Sequence, residues 1–157
     1  MALQKLLIFK ENATHYVSGK YPSWDFGTLH ASVGCAGPNL AQAVPDGSVI
    51  WYGSGTFWRY TSDGNVVDIG GPIRRKLRKV NRFQARMGSS WIDRTYGEVV
   101  FALPVEDEEL PKMQFVFDYR VGGWRRKKFM SIRCADIIGS SGMVVVGGVV
   151  DELESIW

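Results

Sequence analysis

Four stretches of the chain share one grammar of apolar and polar positions: a run of β-branched and aromatic residues, a Gly- or Asn-rich turn, then a second aromatic-containing run. The first is Leu6-Leu7-Ile8-Phe9, a turn at Glu11-Asn12, Thr14-His15-Tyr16-Val17, then Trp24-Asp25-Phe26-Gly27. The second is Val49-Ile50-Trp51-Tyr52, Gly53-Ser54-Gly55, Thr56-Phe57-Trp58-Arg59-Tyr60, then Val66-Val67-Asp68-Ile69. The third is Val99-Val100-Phe101-Ala102-Leu103, an acidic loop at Glu106-Asp107-Glu108-Glu109, Gln114-Phe115-Val116-Phe117-Asp118-Tyr119, then Gly122-Gly123-Trp124-Arg125. The fourth opens at Met143-Val144-Val145-Val146 and reaches only Leu153-Glu154-Ser155-Ile156-Trp157.

The opening runs begin at residues 6, 49, 99 and 143, so the intervals are 43, 50 and 44 residues. Roughly 40 to 50 residues is what one four-stranded blade of a β-propeller occupies. The pattern therefore predicts an all-β chain of repeated antiparallel four-stranded sheets, a partial or small β-propeller, with a single β-sandwich or barrel as the alternative. The blade-like units cover approximately 6–33, 38–70, 84–129 and 132–157 of a single β-repeat domain. Continuous apolar runs are expected where a strand is buried on both faces, and Leu6–Phe9, Val49–Tyr52, Val99–Leu103 and Met143–Val146 read that way. Helical periodicity is confined to the segment after Gly70-Gly71-Pro72. Apolar residues at Ile73, Leu77 and Val80 predict one short helix within Ile73 to Asn81, apolar side inward and Arg74, Arg75, Lys76, Arg78 and Lys79 outward.

Composition supports strands: 13% of the 157 residues are aromatic and 18 are glycine, while 45% hydrophobic and 22% charged is ordinary for a chain with a real core. The apolar runs at Leu6–Phe9 and Met143–Val150 are too short for a signal-peptide core or a membrane helix, so no membrane association is expected. Two cysteines, Cys35 and Cys134, are expected to be reduced thiols without a catalytic role, since neither lies in a Cys-x-x-Cys pair or beside a histidine.

Candidate chemistry is sparse. His15 and His30 have no cysteine or carboxylate at ligand spacing, no serine lies in a Gly-x-Ser-x-Gly elbow, and Gly53-Ser54-Gly55 lacks the lysine of a phosphate loop. Glu106 to Glu109 reads as a solvated loop between strands. No catalytic residue, metal site or cofactor follows, and the chain is not expected to be an enzyme.

The net charge of +3 makes local clustering the only argument for a basic surface. Arg74, Arg75, Lys76, Arg78, Lys79 and Arg82 form one cluster, and Arg125, Arg126, Lys127 and Lys128 another. Either could track a phosphate backbone. Basic residues on sheet edges also block edge-to-edge aggregation, and no aromatic ladder alternates with them, so a solvated edge or a protein contact is favoured over nucleic acid.

The phrases Leu6-Leu7-Ile8-Phe9-Lys10-Glu11-Asn12, Val33-Gly34-Cys35-Ala36-Gly37-Pro38-Asn39 and Asp46-Gly47-Ser48-Val49-Ile50-Trp51-Tyr52, and the later Asp118-Tyr119 followed by Gly123-Trp124, resemble the β-propeller virion proteins of tailed bacteriophages, found at the tail tube, nozzle or head-to-tail junction. The resemblance runs from about Lys5 to Trp157 and lies in strand-and-turn phrases. It implies a virion component made in the host bacterial cytoplasm, whose partners are other virion subunits or further copies of itself. Those proteins are usually longer, so the chain is expected to be a fragment, a minimal relative or half of a propeller completed by a second copy. Ile156 and Trp157 are then expected to be buried against another chain or against the first sheet near Leu6 to Phe9. A carbohydrate-binding propeller is the alternative function, motivated by Trp24, Trp58, Trp91 and Trp124, whose exposure discriminates the two. An enzyme on a propeller scaffold ranks last.

Overall fold

The computed structural model describes residues 5–128, 131–138 and 143–149, the side chains through residue 126. Ile156 and Trp157 lie outside the described residues, as does the Cys134 side chain. The chain is mostly β, with three antiparallel sheets of three or four strands, and divides into two compact units, Met1–Arg78 and Lys79–Trp157.

The first unit holds two sheets. Sheet 1 is the meander β1 (Lys5–Phe9), β2 (Thr14–Lys20) and β3 (Ser23–His30), in that order. Sheet 2 is the meander β4 (Ala41–Ala43), β5 (Val49–Gly53), β6 (Thr56–Tyr60) and β7 (Val66–Asp68). Residues directly opposite in an antiparallel ladder share a face. Leu7 and Phe9 of β1 therefore lie on one side of sheet 1, and there they pack, with Leu29, against Trp51, Tyr60 and Val33. The Phe9 and Trp51 rings meet at 5.1 Å between centroids.

The loop between these sheets is fastened to both. Thr14 Oγ1, fully buried in β2, donates to the Val33 carbonyl at 2.7 Å. Trp51 Nε1, from β5, donates to the Gly34 carbonyl at 3.1 Å. Two backbone bonds extend the stitching, from Cys35 N–H to the Lys10 carbonyl and from Ala36 N–H to the Tyr52 carbonyl, each 2.9 Å. Such close backbone approach requires glycine: a Cβ on Gly34 would overlap the carbonyl oxygens of Lys10 and Glu11, and one on Gly53 would overlap that of Gly34.

A short 3-10 turn at Gly71–Ile73 runs into α1 (Arg74–Leu77), a single helical turn inside the stretch where the sequence predicts a helix. Its inward residue is Leu77, buried, and Arg74, Arg75 and Arg78 face solvent.

The second unit contains sheet 3, a meander of β8 (Ser89–Asp93), β9 (Glu98–Leu103), β10 (Met113–Asp118) and β11 (Gly123–Lys128). Beyond it, β12 (Ser131–Ile138) pairs with β13 (Met143–Val149). Every residue of β9 is buried, and Trp91, Val100, Ala102 and Val116 cluster on one face of the sheet.

Two expectations about individual strands need correction. The apolar runs of β5 and β9 are interior strands rather than the first of their sheets: each is preceded by an edge strand, β4 or β8, too short or too polar to announce itself. The run Leu6–Phe9 is sheltered on one face only, because sheet 2 half-buries Leu7 and Phe9 while Leu6 and Ile8 stay exposed.

The stitched loop generates a stability prediction. Gly53→Ala should destabilise the fold by about 2–3 kcal/mol through overpacking against backbone, and Thr14→Val by about 1–2 kcal/mol through the lost buried hydrogen bond. Gly71→Ala, with open space around it, should stay within about 0.5 kcal/mol. Urea denaturation measures all three, and equal effects at Gly53 and Gly71 would contradict the packing argument.

Candidate functional site

Contact surfaces are the candidate functional features. The basic residues fall into two classes once their partners are counted. Arg74 donates to Asp68 at 2.7 Å and Lys79 to Glu106 at 2.6 Å, both at the surface. Arg125, on the edge strand β11, reaches across β10 to Glu98, a buried carboxylate at the start of β9. Lys76 is also engaged. Arg75, Arg78, Arg82 and Arg126 are exposed and make no ion pair among the described residues. Lys127 and Lys128 continue the backbone of β11, and their side chains lie outside the described residues. The structure thus spreads the candidates over two units and commits several of their charges to local carboxylates, which weakens the field a polyanion would meet. Glu106 lies exposed in the acidic loop, as the sequence predicts, where it takes a positive φ of 57° and pairs with the equally exposed Lys79.

Periodicity gave no warning of Phe83, 92% exposed in the turn between the exposed Arg82 and Arg86. A single apolar residue among polar neighbours carries no periodic signal, so sequence reasoning had nothing to find.

Among the described residues, four exposed large hydrophobic side chains share the outer face of sheet 1. The ladders place Leu6, Val17 and Phe26 in one row across the three strands, and Ile8, His15 and Thr28 in the next. Trp24 stands on the same face, opposite Gly19. Phe26 is 71% exposed, Leu6 65%, Trp24 53% and Ile8 42%. A shallow cavity of about 390 Å³ opens on this face among Ile8, His15, Val17, Phe26 and Thr28, with Lys10 also lining it. The His15 ring sits 3.2 Å from the Thr28 hydroxyl, a hydrogen-bonding pair within the sheet.

The other tryptophans singled out by the sequence pack more closely. Trp91 is buried, the half-buried Trp58 donates from Nε1 to the Gly53 carbonyl at 3.0 Å, and the Trp124 ring lies 4.8 Å from that of Phe117. His30, whose ring is 6.0 Å from Trp58, also accepts from the Ser32 amide at 3.3 Å.

The Cys35 thiol is free and donates to the Gly37 carbonyl at 3.1 Å. Burial pushes its pKa above the ordinary 9.0, against smaller opposing hydrogen bonds to Gly37 and Ala36. This environment disfavours the thiolate, the form in which a cysteine attacks. Among the described residues no group of three or more His, Cys, Asp or Glu side chains converges as a metal site would require. No described helix is long and apolar enough to cross a membrane. No protein-family model matches the chain, and no curated protein is similar to it in sequence.

Two measurements follow from the ion pairs. Arg125→Met should cost about 1–3 kcal/mol by leaving the buried Glu98 carboxylate without its cation, and adding Glu98→Gln should recover most of that loss. A double-mutant cycle with full additivity would refute the coupling. Asp46 holds Arg59 at 2.5 Å. Partial burial works to raise the Asp46 carboxyl, but hydrogen bonds from Ser48 and the Arg59 guanidinium together outweigh it and hold the group below its ordinary 3.8. A lowered folded value stabilises the fold above 3.8, and the contribution disappears as pH falls through the folded value. Arg59→Gln should therefore lower stability by about 0.5–1 kcal/mol at neutral pH. Measured by denaturation, the difference from the parent chain should shrink as pH falls below 3.8, leaving only what Arg59 gains from donating to the Ser48 hydroxyl at 3.2 Å, which does not titrate.

Proposed function

We propose that the chain is a structural component of a bacteriophage particle, a tail or assembly module of β-propeller type that acts through protein–protein contacts and performs no catalysis. The observation that carries this reading is the recurrence of one supersecondary unit. Sheets 2 and 3 are each a sequential four-stranded antiparallel meander, and sheet 1 is a three-stranded one. No described strand crosses from one sheet into another. Propellers are built by such local repetition, whereas sandwiches of the immunoglobulin type interleave their two sheets through Greek-key connections. The role in a particle rests on the likeness of the strand-and-turn phrases to phage virion proteins, and the exposed apolar face of sheet 1 is consistent with a subunit that works in contact with others. On this reading the protein is made in the cytoplasm of the bacterial host and resides in the virion.

The glycan-binding alternative needs several aromatic faces exposed together. Only Trp24 of the four candidate tryptophans is more than half exposed, while Trp58, Trp91 and Trp124 are half-buried or buried. This distribution favours tryptophan as packing material over a sugar platform. Nucleic acid is the secondary partner, through Arg75, Arg78, Arg82 and Arg126, which make no ion pair among the described residues.

The reading is tested on particles. Mass spectrometry of gradient-purified virions should find the protein at a fixed ratio to the major tail or head proteins, and disrupting its gene should give particles that electron microscopy sees as incomplete. Purified, infectious particles that lack the protein would overturn the assignment.

A further inference from the structure

We propose that the outer face of sheet 1 is an interface on which a second copy of this chain docks, sheet against sheet. The inference rests on the assembly reading above and gives it a surface and a partner. Strand β1 is apolar on both sides, Leu7 and Phe9 inward and Leu6 and Ile8 outward, a composition that belongs to strands covered on both faces. Its inner side packs, half-buried, against the aromatic cluster of sheet 2, so face-to-face sheet packing is the mode this chain already uses. Its outer side is left open, with Leu6, Ile8, Trp24 and Phe26 all exposed.

The area is adequate for a copy of itself. The exposed parts of these four side chains amount to roughly 450 Å², within the range of the largest patch on an ordinary monomer, about 300–600 Å², where such patches are commonly functional. Two such faces in apposition bury about 900 Å². Adding Val17, His15 and Thr28 brings the total close to the roughly 1,200 Å² at which specific interfaces begin.

Charge narrows the choice of occupant. The strand positions on this face are Leu6, Ile8, His15, Val17, Gly19, Trp24, Phe26 and Thr28, none of them Lys, Arg, Asp or Glu. Lys10 stands at the margin of the cavity. A polyanion or an acidic partner finds nothing across this face to pair with, whereas two copies meet without like charges opposed. A two-fold axis through the patch makes each copy's face its own complement.

The experiment is light scattering of the full chain across about 1 to 200 μM, with the parent compared to Phe26→Glu and Leu6→Glu. Both positions are solvent-facing, and circular dichroism checks that the variants keep their strands; Leu6→Glu serves where Phe26→Glu fails to fold. The parent should move from 17.6 kDa to twice that mass, and each variant should weaken association at least tenfold. A parent that stays monomeric throughout, or variants that dimerise like the parent, would overturn the proposal. A monomeric parent whose incorporation into particles is lost in Phe26→Glu would assign the face to a different subunit, overturning self-docking while leaving the particle assignment intact. Self-association abolished by the variants in a protein missing from particles would uphold the interface and refute the virion role.

Discussion

Everything in the first unit depends on how the backbone from Val33 to Ala36 is held between two sheets. Thr14 reaches it from sheet 1 and Trp51 from sheet 2, so adjacent carbonyls are bound by side chains of different sheets. These groups are buried, and a buried carbonyl without a donor is costly, which makes each bond more consequential than its net strength suggests. The backbone bonds of Cys35 and Ala36 continue the seam on both sides. Only glycine at 34 and 53 lets the strands and the loop approach this closely. With the seam closed, Leu7 and Phe9 are committed to the core and the opposite side of the same strand is committed to the surface.

That consequence links packing to function. A strand with a single apolar face is satisfied by one neighbouring sheet, but β1 has two apolar faces and one described neighbour. The polar features of the chain point away from chemistry and toward contact. Arginine and lysine are partly absorbed into pairs with Asp46, Asp68, Glu98 and Glu106, and the thiol of Cys35 is held protonated in a loop that serves packing.

The main strands were legible in the sequence because their signal is local. Val49–Tyr52 and Val99–Leu103 are unbroken apolar runs, and they form the interior strands β5, buried from Ile50 on, and β9, buried throughout. The helical spacing of Ile73 and Leu77 likewise marked α1, although only one turn forms. Edge strands were illegible: Ala41–Ala43 has three residues, and β8 begins with two serines that burial alone does not announce. The contact surfaces were less legible still. Pairing Arg125 with Glu98 joins residues 27 apart through strand register, and the exposure of Leu6 depends on which face sheet 2 covers. Neither quantity is written in a hydrophobic pattern, which says that a face is apolar but not whether the same chain covers it.

The central claim, that the loop at Val33 to Ala36 is a structural seam rather than a surface linker, is tested most directly by hydrogen–deuterium exchange at single-residue resolution. The Cys35 and Ala36 amides, bonded to Lys10 and Tyr52, should exchange as slowly as the interior amides of β5, because they open only when the two sheets separate. Exchange of these two amides at the rate of exposed turns, while β5 stays protected, would contradict the account.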